Sequence, residues 1–259
     1  MDYNFHTHTA RCNHATGTDE EYVLRAISCG IKDMGFSDHM PLSFADGHES
    51  GYRVPIAQVG DYMASLSALR EKYRGQINLH IGFEMEVYPS RFDEMVTLAK
   101  GYGAEYLLLG QHYIGEEWPD GFYPLMPSDD PAQLAEYTDC VVTGIESGLF
   151  TYVAHPDLFN YTGDDLDLYR QQALRICEAS LVHDVPLEIN VLGIRNQRTY
   201  PRADFWAVAG QVGCPVTFGL DAHTPHQAAY DEDSMAVAKE LVQKFHLNYI
   251  DKPKLILLK

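Results

Sequence analysis

The chain has 259 residues, 46% of them hydrophobic, which suffices for a sizeable core and excludes a disordered chain. Its formal net charge of −18 argues against a long nucleic acid or an anionic membrane as partner, since either favours a basic face. The acidity leaves a small phosphorylated ligand open, because bound metal ions reverse the local sign.

The opening Met1-Asp2-Tyr3-Asn4 has neither the basic nor the apolar region of a secretory signal, and no apolar run approaches the ~20 residues of a membrane span. Tyr3–His6 reads as a first strand, followed by a helix over Glu20–Cys29 that ends at Gly30. Asp33–Ser37 is the second strand. Ile56–Tyr73 then sets Val59, Met63, Leu66 and Leu69 at helical spacing and stops at Gly75. Strands over Ile77–Phe83 and Tyr106–Gly110 precede a helix over Pro131–Ser147, which opens on proline after the potential caps Asp129 and Asp130. Strand Tyr152–Ala154, helix Asp165–Val182, strands Pro186–Ile189 and Pro215–Gly219 and helix Asp233–Phe245 follow. Lys252–Lys259 reads as a closing strand or a packed tail. This alternation, with no linker or repeat, predicts one parallel-sheet α/β domain over residues 1–259. The cysteines (Cys12, Cys29, Cys140, Cys177, Cys214) never form a C-x-x-C pair, which predicts reduced thiols and a cytoplasmic protein.

Metal-type ligands recur where the strands end. His6 and His8 stand two apart at the first exit, on one face of an extended chain. Asp38-His39 follows the second strand, Glu84 the third and Gln111-His112 the fourth; His155 follows the fifth, and Asp221-Ala222-His223 the seventh. His14 lies in the first loop. A barrel gathers the C-terminal ends of its strands around one mouth, whereas a doubly wound sheet spreads them along an edge, so the barrel is preferred. A lone buried histidine is usually a core residue, and His48, His80, His183, His226 and His246 read as surface or structural. The remaining histidines, with Glu84 and Asp221, are too many at one end for chance or for a single ion. Imidazoles and carboxylates without thiolates suit zinc, iron or manganese, and Cys12 reads as a loop thiol.

The ordered series His6-Thr7-His8, His14, Asp38-His39, Glu84, His112, His155 and Asp221-Ala222-His223 resembles the PHP (polymerase and histidinol phosphatase) family over nearly the whole chain. The resemblance implies a distorted TIM-like barrel of about seven β/α units with the metal site at the C-terminal strand ends. It implies three ions: one on His6, His8, Glu84 and Asp221, a second on Glu84, His112 and His155, a third on His14, His39 and His223. The segments Gly17–Tyr22, Gly35–His39, Tyr52-Arg53 and Gly82–Glu84 with Tyr88-Pro89 resemble the histidinol-phosphatase branch. Two stretches depart from it: Asp157–Tyr161 lacks a basic residue, and Gly110-Gln111-His112-Tyr113 replaces a Ser-Val-His pattern. Both are expected to border the substrate.

The implied activity is hydrolysis of a small phosphomonoester, L-histidinol phosphate first, by a metal-bridging hydroxide. Asp38 and Glu116 are candidate catalytic helpers, Asp38 alternatively a carboxylate that orients His39 or a neighbouring ligand. Arg195, Arg198 and Arg53 are the candidate phosphate clamps, with Arg195 ranked first and Arg11 behind them. Trp118, Phe122 and Tyr123 are candidate caps over the site. Phosphodiesterase or nuclease action, an amidohydrolase and a non-catalytic metal module are the rival readings. An amidohydrolase typically needs a bridging lysine, and no lysine ends a strand here.

Overall fold

The structure is a computed structural model that describes residues 1–44 and 46–259. Strands β1 (Tyr3–Asn4), β2 (Asp33–His39), β3 (Asn78–Met85), β4 (Tyr106–Leu109), β5 (Phe150–Val153), β6 (Leu187–Asn190), β7 (Pro215–Gly219) and β8 (Asn248–Tyr249) form one sheet in sequence order. Every neighbouring pair is parallel. Parallel neighbours require crossovers, and these are built on helices α1 (Asp19–Ser28), α2 (Val59–Lys72), α3 (Phe92–Tyr102), α4 (Pro131–Glu146), α5 (Leu166–His183), α6 (Val191–Arg195), α7 (Ala203–Val212) and α8 (Glu232–Lys244).

The helix starts follow from side chains that accept the free amides of the first turn. Thr18 and Glu21 form a reciprocal capping box on α1, Asp130 accepts from Ala132 N on α4, and Asp231 accepts from Ser234 N on α8. The sheet curls until its two sides meet at the C-terminal end of the strands. There Thr7 bridges Ala222 in parallel, with His8 N donating to Ala222 O (2.9 Å) and Ala222 N to His6 O (3.1 Å). At the opposite end the tail runs beneath the sheet. Leu257 bridges Tyr106, Ile256 N donates to Thr151 Oγ1, and Lys252 pairs with Asp33. Leu255 packs on a small cluster of Tyr3, Phe5, Tyr106, Leu108 and Tyr152. The main apolar cluster takes the alternate residues Leu107 and Leu109 and lies between sheet and helices.

The barrel architecture expected from the ligand placement is the one observed. Three helices, α3, α6 and α7, and the eighth strand, β8, were not anticipated, about seven β/α units having been expected. In α7 the buried Phe205, Trp206, Val208 and Ala209 leave little of the polar stripe by which an amphipathic helix is read. Among the described residues no helix is long and apolar enough to cross a membrane, and the cysteines are all free.

Candidate metal centre

The strand ends and the first loop gather the nine expected ligand residues, with the carboxylate of Glu84 among them. The β2–β3 register pairs His39 with Glu84, which sets the two side by side. Glu84 is buried, and its two oxygens face different sets of imidazoles. Oε2 lies 3.5 Å from His6 Nε2, 3.5 Å from His8 Nε2 and 3.3 Å from His39 Nδ1. Oε1 lies 3.0 Å from His155 Nε2 and 3.5 Å from His112 Nε2. Asp221 Oδ1 stands 3.1 Å from His8 Nε2 and 3.6 Å from His6 Nε2. His14 Nε2 and His223 Nε2 are 3.0 Å apart, and ligand atoms of His8, His39 and His223 lie within 4.8 Å of one another. His155 and Asp221 hold positive φ angles of 31° and 49°, strain that non-glycine residues tolerate where the surroundings demand it.

These distances are close, yet the groups do not satisfy one another. His6 Nε2, His8 Nε2, His39 Nδ1 and both oxygens of Glu84 are buried without a hydrogen-bond partner. Each such atom costs about 1–3 kcal/mol when left unpaired. Convergent orphaned lone pairs of this kind fit cations. Burial and the neighbouring His8 keep His39 neutral and depress His223 to about 3, in the form that ligates. Burial opposes the charge on Glu84 and Asp221, but the surrounding imidazoles hold both carboxyls well below their usual range. Burial also opposes a charge on His8; hydrogen bonding to Asp221 and Asp38 outweighs it and lifts the group to about 9. A cation held by His8 would displace that proton.

Three further carboxylates stand behind the ligands. Glu188 Oε1 lies 2.7 Å from His6 Nδ1, while its Oε2 accepts from His155 N (3.0 Å) and Asn190 Nδ2 (2.8 Å). Glu86 Oε1 lies 3.2 Å from His112 Nδ1. Asp38 accepts from Thr9 N, Thr9 Oγ1 and His39 N, and its Oδ1 is 3.4 Å from His8 Nδ1. Such partners fix which ring nitrogen faces a metal. For Asp38 the orienting role fits the geometry: its oxygens are taken up by these contacts, and it does not line the cavity. Glu86 and Glu188 had no assigned role in the sequence reading. The available signal was the two-residue spacing Glu84-x-Glu86 and Glu188-x-Asn190, one strand face each.

The cavity over the ligands holds about 510 Å³ and is lined by His14, His39, His112, His155, Asp221 and His223 together with Tyr52, Tyr113, Tyr123, Leu158, Arg198 and Tyr200. Of the candidate arginines, only Arg198 lines it. Arg195 is spent elsewhere, with Nε on Asp231 (2.7 Å) and Nη2 on Ala229 O (3.0 Å). Arg11 grips Asp19 with two nitrogens and also Asp61. Glu116 bonds Ser90 Oγ (3.0 Å) and Arg91 (3.3 Å), outside the cavity. Trp118 stacks on His48 at 3.8 Å, and of the expected capping aromatics only Tyr123 reaches the cavity wall. Gln111 and Asn160 do not border the cavity either. Gln111 clamps Val87 N, Val87 O and Tyr113 O, and Asn160 bonds Leu125 O.

Arg53 is 1% exposed and forms a buried hub rather than a phosphate clamp. It donates to Glu86 Oε2 (2.9 Å), Glu117 Oε2 (2.7 Å), Tyr52 Oη, Tyr88 Oη and Met40 O. Replacing it with methionine strands two carboxylates, an uncompensated charge that costs about 3–5 kcal/mol. A fall in melting temperature on the order of 10 °C is expected in thermal unfolding. An unchanged melting temperature would contradict this role.

A family model described as "PHP domain" matches residues 4–191. The chain belongs to the PHP domain family. This PHP chain is 28% identical over 239 residues to a probable histidinol-phosphatase of Deinococcus radiodurans, covering 87% of each chain. It is 24% identical to the histidinol-phosphatase of Bacillus subtilis, over 87% of this chain and 94% of that one. Among solved structures it resembles the histidinol phosphate phosphatase of Lactococcus lactis, crystallised with zinc, L-histidinol and phosphate. The TM-score is 0.72 at 19% identity, over 96% of this chain and 95% of that one. A putative histidinol phosphatase from Listeria monocytogenes gives 0.71 at 20% identity, over 90% of this chain and 99% of that one. At these identities the two structures speak to the shared fold.

Proposed function

We propose that residues 1–259 form a single metal-dependent phosphomonoester hydrolase that converts L-histidinol phosphate and water to L-histidinol and phosphate. The observation that carries this reading is Glu84, a buried carboxylate that faces two sets of imidazoles, several of which line a cavity that also holds one arginine. His6, His8 and Asp221 would hold one ion with Glu84; His112 and His155 a second; and His14, His39 and His223 a third. Bound zinc, iron or manganese would supply Lewis-acid activation of water and neutralise phosphoryl charge.

The chain's own residues do the rest. Glu188, Asp38 and Glu86 hold His6, His8 and His112 in fixed tautomers, so the ligand set is preorganised. Arg198 offers a guanidinium to the phosphoryl oxygens. Tyr52, Tyr113 and Tyr123 line one wall, with successive ring centroids 5.7 Å apart, and give the imidazole or ammonium carried by the leaving alcohol flat faces to pack on. The names of the Deinococcus and Bacillus relatives support this substrate.

A second reading, another small phosphate ester, is favoured by one feature. Among the described residues the one carboxylate lining the cavity is Asp221, already among the proposed metal ligands, so none of them offers a free acid to a substrate ammonium. Phosphate release from a panel of phosphomonoesters by metal-reconstituted protein, with His8→Ala as control, separates the two. Selective turnover of histidinol phosphate that vanishes in the variant is the expected result. Turnover of neutral esters instead would favour the second reading, and no turnover by metal-loaded protein would sink both.

A further inference from the structure

Tyr200 is 1% exposed, yet its side chain reaches the cavity wall. Its ring centroid lies 5.8 Å from that of His155, so it is seated against the ligand cluster. The ring occupies space that only a glycine at position 193 leaves free: a Cβ there would fall 2.5 Å from Tyr200 Cδ2 and 2.6 Å from Tyr200 O. Arg198 Nη1 donates to the Tyr200 oxygen at 2.8 Å, which occupies a lone pair of the phenol. The phenol is also a donor, and among the described residues no acceptor takes its own proton.

A hydroxyl that is buried, aromatic-anchored and already accepting from a cation has one hydrogen left to give, and the cavity is the space it borders. Arg198 sits at the exposed rim, whereas the tyrosine ring is buried and held by its packing. We infer that Tyr200 is a phosphate-binding residue, donating its phenolic hydrogen to an oxygen of the bound phosphoryl group beside Arg198. The inference deepens the proposed hydrolase reading and rests on it for the identity of the ligand. It assigns phosphate recognition to the Arg198–Tyr200 pair and not to Arg195 or Arg53.

Tyr200→Phe keeps the ring and its packing and removes only the hydroxyl. Binding of inorganic phosphate to zinc-loaded protein, followed by calorimetry, is expected to weaken about 10–100-fold, the scale of a hydrogen bond to a charged group. Zinc content and melting temperature are expected to stay at wild-type values. Because Tyr200 also touches Arg198, the same change is made in an Arg198→Gln background. A direct donor still loses phosphate affinity there, whereas a residue that only positions Arg198 shows no further loss, which would overturn the assignment. Unchanged phosphate affinity in Tyr200→Phe alone would overturn it too. The phosphate titration reads the same whether or not the wild type hydrolyses histidinol phosphate, so failure of the substrate reading and failure of this one are told apart.

Discussion

Glu84→Gln is expected to lose at least about 100-fold in metal affinity, measured by zinc retention against a competing chelator, with phosphatase activity falling by at least as much. The scale is a lower bound, because removing only a partner behind a ligand already costs about 10–100-fold. Glutamine matches glutamate in shape, so the cluster stays filled, but it withdraws one of the two proposed acidic ligands. The new amide also points hydrogens toward imidazole nitrogens or toward a cation. Both oxygens of Glu84 face ligand nitrogens, three on one side and two on the other, so either orientation of the amide places NH2 among them. Chelation should lower the melting temperature of the wild type, since a ligand that binds only the folded state stabilises it. The variant's melting temperature should barely respond. A variant that keeps wild-type zinc would remove Glu84 from the centre of the site.

Gly219→Ala is the second large effect. Gly219 ends β7 opposite Asn190 of β6, and a Cβ on it would fall 1.5 Å from Glu188 Oε1 and 2.4 Å from its Cδ. Glu188 cannot yield cheaply. It is fully buried, and its contacts run to His6, His155 N and Asn190. The forced overlap is expected to cost about 3 kcal/mol, the upper range for overpacking. If the carboxylate is displaced instead, His6 loses the partner that fixes its ring and metal affinity drops about 10–100-fold. Denaturant unfolding of the chelated variant and zinc titration of the native one separate the two routes. A variant normal in both would show that the strand end has room to spare.

How far the sequence could be read varied with the physical scale of the question. The convergence of the candidate ligands was legible because a metal site needs unusual residue types at strand exits, and His6-x-His8 and Asp221-x-His223 advertise that spacing. The order of strands was legible because short apolar runs alternated with capped amphipathic segments. The arginines were not. Arg195 and Arg53 sit where a phosphate clamp could stand in one dimension, but Asp231, Glu86 and Glu117 reach them from distant positions. Long side chains are assigned by their partners, and those partners are tertiary. Glu116 failed for the same reason, its carboxylate being drawn to Arg91 and Ser90. The two departing stretches do reach the cavity through Leu158 and Tyr113, whereas Gln111 and Asn160 within them are clamps on neighbouring backbone. Tyr200 went unnoticed because a single tyrosine among 17 carries no periodic or motif signal.

The Thr7–Ala222 seam has a consequence for the order in which the protein can become active during synthesis. The site takes His6 and His8 from the start of the chain and Asp221 and His223 from more than 200 positions later, and these meet only when the two sides of the sheet join. A nascent chain emerges at about 5–20 residues per second, N-terminal part first. For most of that time its histidines wait without their closing carboxylate. Catalytic competence is therefore expected late and all at once, when the segment after β7 joins the one after β1, rather than accumulating as the strands are added.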